Sequence, residues 1–235
     1  MKVQHLAIDG SRVIVEADAK METGATATGW AIVPSLMRTH PFTIYPSGHS
    51  KLIEENVTAN FPDIKILSQK EYSVKGGQLR VAEVEVPSAT GGVRQLSVGA
   101  WEGRRGCLTT SLVGLRRDHL IEVFDTLQFS EREYGLSIDS AVTTQPRLQE
   151  VIKEIPDVVV LGIRPAVSSE LERVPRTKGL ETNYGELFRI RDTSRALMFV
   201  NDTVVTRLNP LPDTETNRLL ALAENIRIDW QLIRR

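Results

Sequence analysis

Residues 61–67, Phe61-Pro62-Asp63-Ile64-Lys65-Ile66-Leu67, and residues 155–161, Ile155-Pro156-Asp157-Val158-Val159-Val160-Leu161, are two versions of one phrase. In each, a large apolar residue precedes Pro-Asp, and an apolar run with β-branched side chains follows. Proline cannot continue a helix, and the run after it suits a strand. Upstream of both phrases lies another proline, Pro46 or Pro146. Between that proline and the phrase sits an apolar stripe. Leu52, Ile53, Val57 and Phe61 form the first, after a Ser50 that can cap a helix. Leu148, Val151, Ile152 and Ile155 form the second, at the i, i+3, i+4, i+7 spacing of an amphipathic helix. Each phrase therefore predicts a helix, a Pro-Asp stop and a strand.

Two further matches follow in the same order. Gly77-Gln78-Leu79 corresponds to Gly185-Glu186-Leu187 at the start of a strand. Leu120 to Phe129 lies over Leu219 to Ile228 with nearly the same apolar and polar pattern. Any two amphipathic helices slide into agreement, so the order of the matches carries the inference. The competing reading is two unrelated segments that share common supersecondary grammar.

The remaining elements fit two copies. Leu6-Ala7-Ile8 and Val13-Ile14-Val15 flank Asp9-Gly10 as a hairpin, and Trp30 to Val33 is a short apolar piece. Phe42 to Tyr45, Leu79 to Val86, Val93 to Trp101 and Cys107 to Val113 read as strands with Gly-rich links. A helix capped by Asp118 follows. In the second half the strands are Val142 to Gln145, Val158 to Leu161, Gly185 to Arg191, Ala196 to Val200 and Thr203 to Leu208, before a helix capped near Asp213. The expected fold class is α+β, two tandem related halves, each an antiparallel sheet with two packed helices. The expected domains are residues 1–131, an α+β half with an added N-terminal β hairpin, and residues 132–235, the related C-terminal half.

This order of elements resembles the Mog1/PsbP-like fold, an antiparallel sheet flanked by helices. The resemblance is best over residues 41–131, above all from Cys107 to Phe129, and involves no diagnostic motif. The second half departs from it through a charged, Pro-containing insert, Arg164 to Thr182. Proteins of this fold mostly act as binding or assembly factors, so the resemblance implies such a role.

Composition narrows the function. Among 235 residues, 29 Lys and Arg face 30 Asp and Glu, so the basic excess of a general nucleic-acid binder is missing and a nucleic acid is not the expected partner. A single cysteine, Cys107, excludes a disulfide framework within these residues and a Cys-rich zinc site; it reads as a small core hydrophobe. Charge and turn residues arrive too early in the first ten residues for a signal peptide, and no apolar stretch is long enough to span a bilayer. A cytoplasmic protein without membrane insertion is the expectation.

The sequence contains no phosphate-binding loop, dinucleotide fingerprint, zincin helix or nucleophile elbow. Pro46-Ser47-Gly48-His49-Ser50 sets hydroxyls beside an imidazole but suits a turn and helix start. His5, His40, His49 and His119 lack metal-ligand spacing on any one element. No cofactor and no metal are expected, and no catalytic residue is assigned. The candidates for partner binding are Trp101 as an apolar anchor, Arg104, Arg105, Arg116 and Arg117 as a basic edge around one strand, and Arg164, Arg173 and Arg176 in the long insert. That insert, Arg164 to Thr182, is where a partner is expected to touch.

The expected function is a non-catalytic protein-binding factor (a chaperone, adaptor or assembly protein) whose partner is another protein. One alternative is an enzyme with an unrecognised site between the halves that uses His40 or His49 with a carboxylate. Another is a structural subunit of a larger assembly, and homo-oligomerisation is compatible with either.

Overall fold

The computed structural model describes residues 1–50, 64–88, 91–114, 116–139, 149–190 and 195–232. From the N-terminus its strands are β1 (Lys2–Leu6), β2 (Arg12–Glu16), β3 (Thr26–Val33), β4 (Arg38–Tyr45), β5 (Lys65–Val74), β6 (Gly77–Pro87), β7 (Val93–Glu102) and β8 (Cys107–Val113). Helix α1 (Arg117–Thr126) and a hairpin of β9 (Phe129–Arg132) and β10 (Gly135–Ile138) follow. Next come β11 (Glu150–Ile155), β12 (Val159–Pro165), the single turn α2 (Ser168–Leu171), β13 (Leu180–Glu181) and β14 (Glu186–Arg189). The chain ends with β15 (Leu197–Val200), β16 (Val204–Pro210), helix α3 (Thr216–Asn225) and β17 (Arg227–Gln231).

These elements form two compact units, one made of Met1–Gly29 with Thr143–Arg235 and the other of Trp30–Val142. In the Trp30–Val142 unit, antiparallel strands run in the order β4-β8-β7-β6-β5. One face of this sheet carries Leu79, Val81, Leu108, Leu112, Phe42 and Ile44, all buried. Helix α1 covers it with Leu120, Val123 and Phe124. Gly99 makes this approach feasible, because a Cβ there would sit 2.8 Å from both the Leu120 and Phe124 side chains. Ala82, Val84, Val86, Val98, Ala100 and Cys107 form a second apolar cluster. Period-two alternation on a two-sided buried sheet explains why both sets of positions are apolar.

In the other unit, strands run in the order β13-β14-β15-β16-β12-β11. A separate sheet, β1-β2-β17, buries Val3, His5, Val13, Val15, Ile228 and Trp230. Asn201 ties the two sheets together by donating from Nδ2 to the Ile228 carbonyl at 2.9 Å. Helix α3 adds Leu219 and Ala223 to this core.

The expected fold class needs correction. The chain is mostly β with antiparallel sheets and only three α-helices among the described residues, so two tandem halves with two packed helices each do not describe it. The clearest correction falls on the second phrase. Residues 150–155 form strand β11, with Val151, Lys153 and Ile155 buried and Ile152 and Glu154 on the other side. The same residues satisfy a period of two, and β-branched Val151, Ile152 and Ile155 favour the extended backbone.

Ile155 pairs with Val159, so Pro156-Asp157-Val158 is a hairpin loop and not a helix stop. Asp157 takes the left-handed conformation there, at φ 60°, which short polar side chains tolerate better than most. The first helix expected near residues 50–60, Pro62-Asp63, Pro146, Leu148 and the strand expected at 142–145 lie outside the described residues, apart from Ser50. At α1, the capping position belongs to Arg116 without a side-chain cap, while Asp118 sits in the first turn. Its carboxylate still favours the positive end of the helix.

Candidate functional site

The long insert forms an arm over the outer face of the β14–β15–β16–β12 sheet. Strand register fixes which side chains meet there. Glu186 pairs with Val200, Val200 with Val205, and Val205 with Arg164, so these four line one face in a row. The alternate residues Leu187, Phe199, Thr206 and Ile163 are buried on the opposite face. Sheet alternation thus sends Arg164 outward, beneath the arm.

Glu170 of α2 comes down to meet it. Only 2% of Glu170 is exposed, although it lies in a charged segment. Arg164 donates from Nη1 to Glu170 Oε2 at 3.4 Å and from Nε to Glu150 Oε1 at 3.1 Å. Arg173 reaches Glu170 Oε1 at 3.3 Å from the other side. Burial works against the Arg164 charge, but Glu150 and Glu170 together hold its pKa above the usual arginine value. The network joins the arm to the sheet.

Between arm and sheet lies a groove of about 650 Å³. Ala166, Leu171 and Val174 come from the arm, and Phe188 and Val200 from the sheet. Leu171 is 44% exposed and Tyr184, at the rim, 47%. Gly185 permits the close strand contact behind the rim: a Cβ there would strike the Val200 carbonyl and lie 3.0 Å from the Phe199 ring. Asn201 Oδ1 accepts from the backbone amides of Thr203 at 2.9 Å and Val204 at 3.0 Å, which shapes the β15–β16 turn and places Asp202 at its tip. The charged side chains among the lining residues are Glu186 and Asp202, both acidic.

The residues singled out from sequence are distributed over both units. Arg164 and Arg173 meet at Glu170, and Arg176 is exposed on the arm. The others belong to the Trp30–Val142 unit. Trp101 is buried, donates from Nε1 to the Val74 carbonyl at 2.7 Å and meets Phe129 edge-on, at 4.7 Å between ring centroids. Arg104, Arg105 and Arg116 are all exposed, and the Arg105 backbone amide donates to Glu131 Oε1 at 2.6 Å. Arg117 lies 4.0 Å from Asp118 and helps hold the Glu83 carboxyl below its ordinary range, an effect led by the Ser68 hydroxyl.

Of the groove residues, Leu171 and Val174 fall within the insert expected to touch a partner but were not singled out there, and Tyr184, Glu186, Phe188 and Asp202 lie outside it and were missed. Leu171 and Val174, three apart in the insert, were the available signal.

His40 and His49 each pack against a neighbouring aromatic ring. His40 is buried, shares a 2.9 Å hydrogen bond with the Ser111 carbonyl, and packs edge-on against Phe42. Burial lowers its pKa, against the effect of that bond. His49 stacks on Tyr45 with ring centroids 6.0 Å apart. Cys107 is buried and its pKa is pushed up to about 12, first by burial and then by Glu102. Among the described residues, no three His, Cys, Asp or Glu side chains converge as metal ligands would, and no helix is long and apolar enough to cross a membrane. In comparison with known proteins, the chain matches no family model and no curated protein.

Proposed function

We propose that this chain is a non-catalytic protein-binding factor, a chaperone, adaptor or assembly protein, that holds an extended segment of a partner protein in the arm–sheet groove. The observation that carries this reading is an apolar groove whose rim residues Leu171 and Tyr184 stay nearly half exposed. A site that engulfs a small molecule covers most of its ligand's surface. An open cleft with an exposed leucine and tyrosine instead suits side chains projecting from another protein, where aromatic and aliphatic anchors supply most of the affinity.

A displayed library of random peptides, panned against the full chain, tests the reading. Selected peptides are expected to bind the unmodified protein and to lose at least about tenfold in affinity for Leu171→Asp, because a charge is then placed in the apolar wall. Val174→Asp is the second variant, and thermal melts show that each variant is folded. Recovery of no binding peptide, or of peptides that bind Leu171→Asp equally well, overturns it.

A further inference from the structure

Resting on the groove reading above, we infer that the segment held there is cationic as well as apolar, with Lys or Arg beside its anchoring side chain to meet Glu186 and Asp202. Internal ion pairs leave two lining carboxylates over. Arg164 and Arg173 are engaged by Glu170, and Arg164 also by Glu150. Lys178 pairs with Glu181 at 2.7 Å. The Arg227 guanidinium stands 6.0 Å from the centre of the Tyr184 ring, a cation–π position at the rim.

Arg176 is exposed on the arm but does not line the groove. Glu186 and Asp202 do line it, and neither forms an ion pair among the described residues. Glu186 accepts one backbone bond, from the Gly179 amide at 3.3 Å through Oε2. Its carboxylate retains acceptor capacity, since an ionised carboxyl offers about four lone-pair sites. Asp202 projects from a turn that Asn201, not Asp202, holds together.

The groove therefore presents apolar walls together with two carboxylates. A basic residue on the occupant would satisfy them, while an acidic one would be repelled. Exposed pairs of this kind act more on specificity and association rate than on total affinity.

The test uses two synthetic peptide pools that share a central Leu-Phe pair and differ in flanking residues, Lys in one and Glu in the other. Binding to the full chain is read by fluorescence anisotropy. The Lys pool is expected to bind about five- to tenfold more tightly at moderate salt, with the gap narrowing at high salt as the charges are screened. The double variant Glu186→Lys/Asp202→Lys is expected to invert the preference while keeping the melting temperature, because both residues are exposed.

Equal binding of both pools, with Leu171→Asp still abolishing both, overturns the cationic specificity and leaves the groove reading standing. A Lys preference that survives the double charge reversal also overturns it. If Leu171→Asp changes neither pool's binding, the groove reading falls and this inference with it.

Discussion

Arg164 Nη1 lies 3.4 Å from Glu170 Oε2, and this contact joins the short helix α2 of the arm to strand β12. Glu170 is the more buried partner, with 3% of its side chain exposed against 32% for Arg164. The pair thus combines one desolvated carboxylate with a guanidinium that still touches water. Removing the carboxylate leaves two arginines facing each other, Arg164 and Arg173.

Glu170→Ala is therefore expected to cost about 1–3 kcal/mol, below the range for fully buried pairs because both arginines are part-exposed. Glu170→Gln, which keeps the shape and some hydrogen bonding, is expected to lose less. Urea unfolding measures both. Amide exchange is expected to rise first over α2, since its anchor is what was removed. Uniform exchange across the unit, with no local rise, contradicts an anchoring role.

The two faces of β11 predict opposite tolerances. Ile155 is fully buried, so Ile155→Asp is expected to destabilise its unit by about 3–5 kcal/mol through an unpaired buried charge. Ile152 is half-buried on the other face, so Ile152→Asp is expected to cost about 1 kcal/mol. Chemical denaturation of the two variants side by side separates strand from helix, because a helical stripe would make the two costs similar.

His5 gives the fold a pH dependence. Its pKa is lowered from 6.5 to about 4, first by burial and then by the nearby Lys153 ammonium. Lys153 is itself buried, and its Nζ donates to the carbonyls of Glu22 and, at 2.7 Å, of Gly24. An unfolded histidine takes up a proton near pH 6.5 that the folded one resists until about pH 4. Stability is therefore complete above that window and falls as pH falls through it. The full loss is about 3 kcal/mol, at roughly 1.4 kcal/mol per pH unit. His5→Gln is expected to flatten this part of the stability–pH curve, as followed by urea midpoints. An unchanged curve would assign the pH dependence to carboxylates alone.

Cys107 is expected to be inert in the native protein. Burial and a pKa near 12 leave almost no accessible thiolate, so a disulfide reagent should label it only after denaturation. Rapid labelling of the folded chain would show that its surroundings open.

Much of the strand content was legible locally. In β2, β6 and β8, inward and outward positions alternate over several residues, and that alternation is a property of the extended backbone. The helix before β17 was legible for a similar reason, with Leu219 and Ala223 one turn apart. The small buried Cys107 also followed from its neighbours. These features needed no knowledge of distant residues.

Tertiary structure decided the rest. Val151 and Ile155 are four apart, a separation that both helical and strand periods allow, so local pattern left β11 ambiguous. Pairing with β12 on one side and with Thr26, Ala27 and Thr28 on the other resolved it. Glu170 reads as one more solvated charge in Ser168-Ser169-Glu170-Leu171-Glu172-Arg173, and only the outward face of Arg164 gives it a buried role. Backbone period is written in neighbouring residues, whereas register and charge pairing depend on residues brought close only when the chain closes its loops.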